Sequence, residues 1–183
     1  MQQLRKGASM NYERQTDLRK IVIIGQPNVG KSALLNRITG TYGAVISNYP
    51  GTTVEVSQGK VRVAGEEFEV VDTPGMYSLL PITEEEKITR LILFDKGPCV
   101  ILQVIDAKNL ERHLNVTLQF QEAGFPLILV LNIYDEARDA GIAIDVPALE
   151  RELGLPVVTT VSTTGEGLDM LRRKIEDYVR KIS

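Results

Sequence analysis

A glycine-rich segment with a lysine and a serine at fixed spacing is the part of this 183-residue chain best suited to chemistry. Residues 25–32 read Gly-Gln-Pro-Asn-Val-Gly-Lys-Ser and fill every fixed position of the phosphate-binding pattern G-x-x-x-x-G-K-S/T. The apolar residues 21–24 before it predict a buried strand, and residues 33–38 after it predict a helix. We therefore expect a phosphate-binding turn between a strand and a helix.

The residue types in this turn suit distinct tasks. Gly25 and Gly30 can adopt backbone angles closed to other residues, so that consecutive N–H groups surround phosphate oxygens at a helix N-terminus. Lys31 adds a positive charge near the outer phosphates, and the Ser32 hydroxyl suits a magnesium ion that bridges them. The alternative is a glycine-rich turn without a ligand. The predicted ligand-contacting residues of this loop are Gly25, Asn28, Val29, Gly30, Lys31, Ser32 and Ala33.

A second motif places a carboxylate directly after another apolar run. Residues 70–75 read Val-Val-Asp-Thr-Pro-Gly, which puts Asp72 at a strand end and Gly75 three positions later. We expect Asp72 to hold magnesium, through water, and the Gly75 N–H to donate to a γ-phosphate. The segment after Gly75, as far as Pro81, should then rearrange when that phosphate leaves. The same four residues are also a common turn sequence.

Base choice is predicted by a third motif, again after an apolar run. A carboxylate at Asp135 can accept from both N1–H and the exocyclic amine of guanine, a pairing that adenine cannot offer. Asn132 would brace the base and neighbouring loops, although both residues could serve only as a helix cap. The segment Ser162, Thr163 and Thr164 follows the last apolar run and could supply a backbone N–H to the guanine carbonyl.

The apolar runs that carry these motifs predict an α/β fold. They recur at residues 21–24, 100–105, 127–131 and 157–161, with helix-like segments between them, a pattern typical of a parallel sheet. Alternating residues from 54 to 71 predict a hairpin within the same sheet. In open sheets of this kind, ligands bind beyond the carboxyl ends of the strands. Each motif follows a strand, as this rule requires.

Composition excludes several classes of function. The net charge of −3 argues against broad electrostatic binding to nucleic acid or to an anionic membrane surface. The longest apolar runs are far shorter than the ~18 residues that a membrane-spanning helix needs. A single cysteine, Cys99, excludes an internal disulfide and a multi-cysteine zinc site. Residues 1–17 are polar, and we expect a flexible N-terminal extension or a cloning remnant.

Taken together, the motifs resemble the G domain of FeoB, the prokaryotic ferrous iron transport protein family, from about residue 20 to the last helix. The resemblance rests on residues 25–32, 48–55, 72–79 and 110–119. It implies a three-layer P-loop GTPase fold of the Ras-like type, with a mostly parallel six-stranded sheet and one antiparallel hairpin strand. Residues 18–183 would form this G domain, with GTP or GDP, Mg²⁺ and K⁺ as its ligands.

The resemblance also implies roles for further residues. Thr53 resembles the first-switch threonine whose hydroxyl binds magnesium and whose N–H meets the γ-phosphate, and Thr52 is its neighbour in the nucleotide-contacting loop. Asn28 resembles the asparagine of potassium-activated GTPases, whose side-chain oxygen helps to hold K⁺ against the phosphates. The alternative for Asn28 is a purely structural role in the loop. Lys31, Thr53, Asn28 and Gly75 would be the catalytic set.

Two positions depart from better-known GTPases and suggest slow turnover. Ile133 stands where most small GTPases carry a lysine that packs on the base. Met76 follows Gly75 where Ras-like enzymes carry a glutamine, and a thioether cannot orient water. We therefore expect slow intrinsic hydrolysis that relies on backbone groups, the first switch or a partner.

The leading hypothesis is a K⁺-stimulated GTPase domain with switches near residues 44–53 and 73–81. Its partners would be a helical spacer and a membrane-embedded iron permease, which places it at the cytoplasmic face of the inner membrane. One alternative is a nucleotide-sensing module without significant turnover. The other, a ribosome- or tRNA-associated GTPase, is weakened by the lack of a basic appendage in the sequence.

Overall fold

Seven strands form one twisted sheet at the centre of the molecule. The computed structural model describes residues 19–40, 43–94 and 99–182, so the predicted extension at residues 1–17 lies outside them. The strands are β1 (Lys20–Ile24), β2 (Val45–Asn48), β3 (Glu55–Val63), β4 (Glu66–Asp72), β5 (Val100–Asp106), β6 (Leu127–Asn132) and β7 (Val157–Thr159). Their order across the sheet is β2-β3-β4-β1-β5-β6-β7.

The sheet confirms the predicted α/β class and carries one more strand than the six expected. β4, β1, β5, β6 and β7 run parallel, whereas β3 pairs antiparallel with both β4 and β2. The additional strand is β2, which lies within the segment predicted to be the first switch. All four of its residues are exposed, so it lacks the alternation between apolar and polar positions that marks a half-buried strand.

Six helices in the described ranges cover the two faces of the sheet. They are α1 (Lys31–Thr39), α2 (Glu84–Phe94), α3 (Leu110–Glu122), α4 (Tyr134–Asp139), α5 (Val146–Leu153) and α6 (Leu168–Ile182), and a 3-10 turn, Ala107–Asn109, precedes α3. Leucines of α1 and α6 pack on one face, with Ile21 and Ile23 of β1 beneath them. Val22 and Ile24 point to the other face, which α2 and α3 cover. Residues 21–24 of β1 are buried and contribute to both halves of the core.

Local sequence features mark the starts of two helices. The Thr83 hydroxyl accepts from the Glu86 N–H at 3.2 Å, and the Glu86 carboxylate accepts from the Thr83 N–H at 3.3 Å, which completes a capping box at α2. Pro147 lies in the first turn of α5. Within the described ranges, the helices are all too short or too polar to cross a bilayer.

Candidate functional site

The loop between β1 and α1 lies very close to the backbone of β5 and to the side chain of Asn132. Gly25 and Gly30 have φ values of 150° and 89°, which L side chains rarely adopt. A Cβ at Gly25 would lie 2.2 Å from Val104 O, and one at Gly30 would lie 2.3 Å from Asn132 Nδ2. Only glycine therefore fits at either position. Asn28 also has a positive φ, 65°, and its side chain is exposed.

The first turn of α1 carries the polar groups of this loop. Lys31, Ser32 and Ala33 form this turn, and the Lys31 ammonium donates to Gln26 O at 3.0 Å within the loop. Burial lowers the pKa of Lys31, and the nearby Asp72 carboxylate opposes this shift. Among the described hydrogen bonds, the Lys31 ammonium is held only by this loop carbonyl, so an anion bound in the loop could attract it away from Gln26 O.

Ser32 and Asp72 meet although 40 residues separate them in the sequence. The Ser32 hydroxyl donates to Asp72 Oδ2 at 2.5 Å, because β4 lies beside β1 and both end at this edge of the sheet. Asp72 is 7% exposed, and its Oδ1 is buried without a hydrogen-bond partner. Burial raises the pKa of the Asp72 carboxyl, whereas the Ser32 hydroxyl and the Lys31 charge lower it. A buried carboxylate oxygen beside a hydroxyl is the oxygen-rich setting that Mg²⁺ prefers.

The segment after Asp72 packs directly against the phosphate loop. A Cβ at Gly75 would lie 2.6 Å from Pro27 Cδ, so glycine is required there by close approach. The next N–H, that of Met76, donates to Gly25 O at 3.1 Å. The Met76 side chain is buried in the core on the side of α2 and α3. The structure therefore brings Gly75 to the phosphate loop and buries the Met76 thioether in the core.

Glu86 fastens the remainder of this second segment to α2. Its buried carboxylate accepts from the backbone N–H groups of Tyr77 at 3.1 Å and of Ile82 at 2.7 Å, in addition to that of Thr83. These bonds, that from Ile82 first, hold the pKa of Glu86 below its usual value. The capping box accounts only for the contact with Thr83, and no local sequence signal shows that the chain folds back onto this carboxylate.

Asn132, at the end of β6, connects three parts of the site. Its Nδ2 donates to Val29 O at 2.8 Å in the phosphate loop. Its Oδ1 accepts from the Thr160 hydroxyl at 3.0 Å, and from the Ser162 N–H at 3.0 Å and hydroxyl at 2.8 Å. Asn132 is 1% exposed, so these bonds form in the interior. They hold the phosphate loop and the loop after β7 in one fixed relation.

The loop after β7 and the first turn of α4 each carry a polar group without a described partner. The Ser162 N–H donates to Asn132 Oδ1, and the Thr164 N–H donates to Val161 O at 3.2 Å. Among the three residues predicted here, Thr163 alone has no described partner for its N–H. Asp135 lies in the first turn of α4, and its Oδ1 is buried without a hydrogen-bond partner. Both groups therefore lack a described hydrogen-bond partner within the protein.

Two arginines that the sequence analysis did not single out hold this loop. Arg37 of α1 donates to the backbone carbonyls of Ser162, at 3.1 Å, and of Thr163. Arg138 of α4 forms a two-point ion pair with Glu166, at 2.8 and 3.0 Å. Each contact spans at least 28 residues of sequence, so no local pattern could have predicted it.

The first switch is not brought to the phosphate loop. Its turn closes on itself: the Thr52 hydroxyl donates to Tyr49 O at 2.9 Å and accepts from the Val54 N–H at 3.2 Å. Thr53 is exposed, and among the described hydrogen bonds none joins it to Ser32 or Asp72. The structure thus gathers the predicted phosphate, magnesium and base residues and leaves Thr52 and Thr53 apart from them.

Comparison with known proteins gives this arrangement a family. Residues 19–175 match the FeoB_N family, described as ferrous iron transport protein B. A Fe(2+) transport protein A/Fe(2+) transporter FeoB fusion protein of Porphyromonas gingivalis is 42% identical over 153 residues, which are 83% of this chain and 18% of that protein. Other curated relatives are likewise matched over less than a third of their length, for example 28% and 21%.

Solved structures match over the whole described fold. The cytosolic domain of the T. maritima FeoB iron transporter in a GDP form has a TM-score of 0.83 and 39% identity, with 89% of this chain and 64% of that chain covered. The same domain in a GMPPNP form has a TM-score of 0.82 and 39% identity, with 88% and 64% covered. The chain therefore belongs to the family of ferrous iron transport protein B, FeoB, and corresponds to its N-terminal G domain, a domain of the GTPase class.

Proposed function

We propose that this domain binds GTP with Mg²⁺, hydrolyses it slowly with stimulation by K⁺, and reports the nucleotide state to an iron-transporting part of a longer protein. The observation that carries the proposal is the meeting of Ser32 and Asp72 beside Lys31, at the strand edge where Asn132 also holds the phosphate loop. Phosphate-loop GTPases use a hydroxyl, a carboxylate and an ammonium in this relation for the β- and γ-phosphates.

Phosphate and metal would share the first turn of α1. The loop N–H groups and the Lys31 ammonium, once released from Gln26 O, would bind the phosphate oxygens. Ser32 and Asp72 would hold Mg²⁺, with Thr53 joining them when the first switch closes. The bound ion would neutralise charge that develops on the phosphates. The unpartnered Asp72 Oδ1 supports this assignment, since a buried carboxylate oxygen needs a partner.

Guanine would be recognised by one carboxylate and one backbone donor. Asp135 can accept from N1–H and the exocyclic amine, and its buried Oδ1 has no protein partner. The Thr163 N–H would donate to the 6-carbonyl of the base. Adenine presents an amine there, so both contacts would favour guanine. That related domains were solved in GDP and GMPPNP forms supports the choice of nucleotide.

Asn28 is the proposed ligand of a potassium ion. Its side chain is exposed at the phosphate loop and can offer its carbonyl oxygen to a cation beside the phosphates. A cation there would stabilise negative charge in the transition state, as an arginine finger does in other GTPases. The left-handed backbone at Asn28 is a separate, conformational reason for asparagine, because this residue tolerates positive φ better than most.

Slow turnover follows from the position of Met76. The residue after the switch glycine is buried and apolar, so it cannot orient the attacking water. Hydrolysis would then depend on backbone groups, on the bound cation and on Thr53. The same observation favours one second candidate function, a nucleotide-sensing module whose turnover is too slow to matter.

Coupling to transport is proposed from the relatives. They are Fe(2+) transporters and are matched over less than a third of their length. We infer that this domain acts at the cytoplasmic membrane face, joined through a helical spacer to an iron permease. The second switch, residues 73–81, would transmit the state of the γ-phosphate.

Multiple-turnover phosphate release in KCl and in NaCl tests the proposal. We expect turnover about tenfold faster in KCl, because one precisely placed charge or donor is worth at least this much in such a transition state. Asn28→Gly keeps the left-handed loop conformation but removes the side-chain oxygen, so it should lose the KCl effect. Asn36→Ala removes an exposed asparagine of α1 outside the loop and should keep it.

The outcomes separate the two candidate functions. Equal rates in both salts contradict the potassium site, and a KCl effect that survives in Asn28→Gly contradicts its assignment to Asn28. GTP binding without turnover above buffer in either salt leaves the sensing module as the function.

A further inference from the structure

We propose that Arg37 is a positioning residue for guanine recognition, which holds the peptide group between Ser162 and Thr163 so that the Thr163 N–H points at the 6-carbonyl of the base. The inference rests on the proposed guanine site. It assigns to a side chain of α1, outside all the motifs, control over the one N–H among Ser162, Thr163 and Thr164 that has no described partner.

The guanidinium makes two contacts with consecutive carbonyls of this loop. Arg37 Nε donates to Ser162 O at 3.1 Å, and Nη2 donates to Thr163 O. Both are hydrogen bonds from a charged donor, which are stronger than those between neutral groups. The rigid fork of the guanidinium fixes the direction of both carbonyls at once, which a lysine ammonium could not do.

Because of the geometry of the peptide bond, the contact between Arg37 and Ser162 O also sets the direction of the Thr163 N–H. Ser162 C=O and Thr163 N–H belong to the same peptide group, which is planar and trans, so that its C=O and N–H point in opposite directions. Holding Ser162 O from the α1 side therefore aims the Thr163 N–H away from α1. A charge that polarises the carbonyl also strengthens the N–H as a donor.

Neighbouring bonds leave this peptide group dependent on Arg37. The N–H of Ser162 is bound to Asn132 Oδ1, which fixes the preceding peptide, and Thr164 and Gly165 return their N–H groups to Val161 O. Between these two fixed points, the described bonds to Ser162 O and Thr163 O come from Arg37. Without Arg37 the loop keeps its ends, but the donor at its centre is free to turn.

A pair of nucleotides that differ only at the acceptor tests the assignment. GDP and 6-thio-GDP both offer N1–H and the exocyclic amine to Asp135, but sulfur is a weak acceptor for the Thr163 N–H. We expect the wild-type protein to bind GDP about fivefold to tenfold more tightly than 6-thio-GDP. In Arg37→Met, which keeps the apolar stem of the side chain, GDP affinity should fall and the preference should shrink to about twofold or less.

The matched control is Arg173→Met, which removes the same charge from an exposed position of α6. It should retain the wild-type preference. The ratio of the two dissociation constants is taken within one variant, so the fraction of folded protein cancels from it. Arg37→Gln, another good helix former without the guanidinium, provides a second determination of the same ratio.

The results that overturn this proposal differ from those that overturn the proposed function. Wild-type preference in Arg37→Met and Arg37→Gln, or an equal loss in Arg173→Met, refutes the role of Arg37 while GDP binding stands. A wild-type protein that binds neither nucleotide refutes the guanine site itself, and the role of Arg37 with it.

Discussion

The loop after β7, residues 160–167 and called the base loop below, and the first switch are both proposed to contact the nucleotide, but the structure holds them in opposite ways. In the base loop, buried Asn132 accepts three hydrogen bonds and donates one, and two arginines hold the loop from outside. In the first switch, all four residues of β2 are exposed and the strand pairs only with β3, at the edge of the sheet. The base loop is held by protein contacts in the absence of a ligand. For the first switch, none of the described hydrogen bonds joins Thr53 to Ser32 or Asp72.

This difference predicts which region would have to rearrange on nucleotide binding, and therefore where part of the binding free energy would be used. The base loop is held by contacts within the folded protein, so the proposed donor to guanine, the Thr163 N–H, would already be in place before the nucleotide binds. In the proposed function, the first switch would have to leave its own turn before Thr53 could reach Mg²⁺, and part of the binding energy would be used for this change. The second switch is intermediate, since Gly75 already contacts Pro27 and Glu86 holds the segment that follows.

The largest expected effect comes from removing the centre of the ordered region. Asn132→Ala leaves Val29 O, the Thr160 hydroxyl and the Ser162 N–H and hydroxyl without their partner in the interior. Since each unsatisfied buried polar group costs about 1–3 kcal/mol, we expect a loss of about 3 kcal/mol in the free energy of unfolding. Urea denaturation of the nucleotide-free protein measures it.

The matched control is an asparagine in the other region. Asn48→Ala, at the exposed end of β2, should change the free energy of unfolding by less than about 0.5 kcal/mol. Similar losses in the two variants would show that the two regions do not differ in the way described.

The next-largest expected effect distinguishes a loss of nucleotide affinity from a loss of protein stability at Asp135. Asp135→Asn replaces an acceptor by a donor opposite N1–H, and we expect GTP affinity to fall about 100-fold and xanthine nucleotide affinity to rise. The buried Oδ1 has no protein partner, so the free energy of unfolding without nucleotide should be unchanged. Isothermal titration calorimetry and denaturation measure the two quantities. Asp139→Asn, exposed on the same helix, should alter neither.

Unchanged GTP affinity in Asp135→Asn would remove the basis for guanine selectivity. A loss of stability without a loss of affinity would instead assign Asp135 to the capping of α4, the alternative that the sequence left open.

The sequence predicted the ordered region well because its motifs follow strands. Asp72 and Asn132 both end parallel strands, and parallel strands bring their carboxyl ends to one edge of the sheet. The chemical roles assigned to these residue types stay predictions. The pattern predicted that positions 25 and 30 need glycine for its backbone freedom. The structure adds a second physical reason, which is the close approach of Val104 O and of the Asn132 side chain.

Contacts between distant parts of the chain could not be predicted in the same way. Arg37 and Ser162 are 125 residues apart, and an exposed arginine on a helix has no local signature of a carbonyl partner. The strand β2 was missed because an edge strand with both faces exposed carries no apolar alternation. Thr53 was predicted from resemblance to a ligand-bound arrangement, which the described hydrogen bonds do not contain.

The smallest expected effect concerns the second switch and the dependence of its stabilisation on pH. Glu86→Gln replaces one of the two accepting oxygens by an amide donor, so it can no longer accept from Tyr77, Ile82 and Thr83 together. We expect a loss of about 1–2 kcal/mol in the free energy of unfolding at pH 7. Glu85→Gln, exposed in the same helical turn, should lose less than about 0.5 kcal/mol.

The sign of the pH dependence follows from the lowered pKa of Glu86. The unfolded chain takes up a proton near the ordinary pKa of 4.5, before the folded protein does, so the stabilisation is complete above this pH and is lost as the pH falls further. The difference between wild type and Glu86→Gln should therefore be greatest at pH 7 and shrink below pH 4.5. A difference that is constant with pH would mean that the carboxylate charge does not hold the second switch, which would then resemble the first.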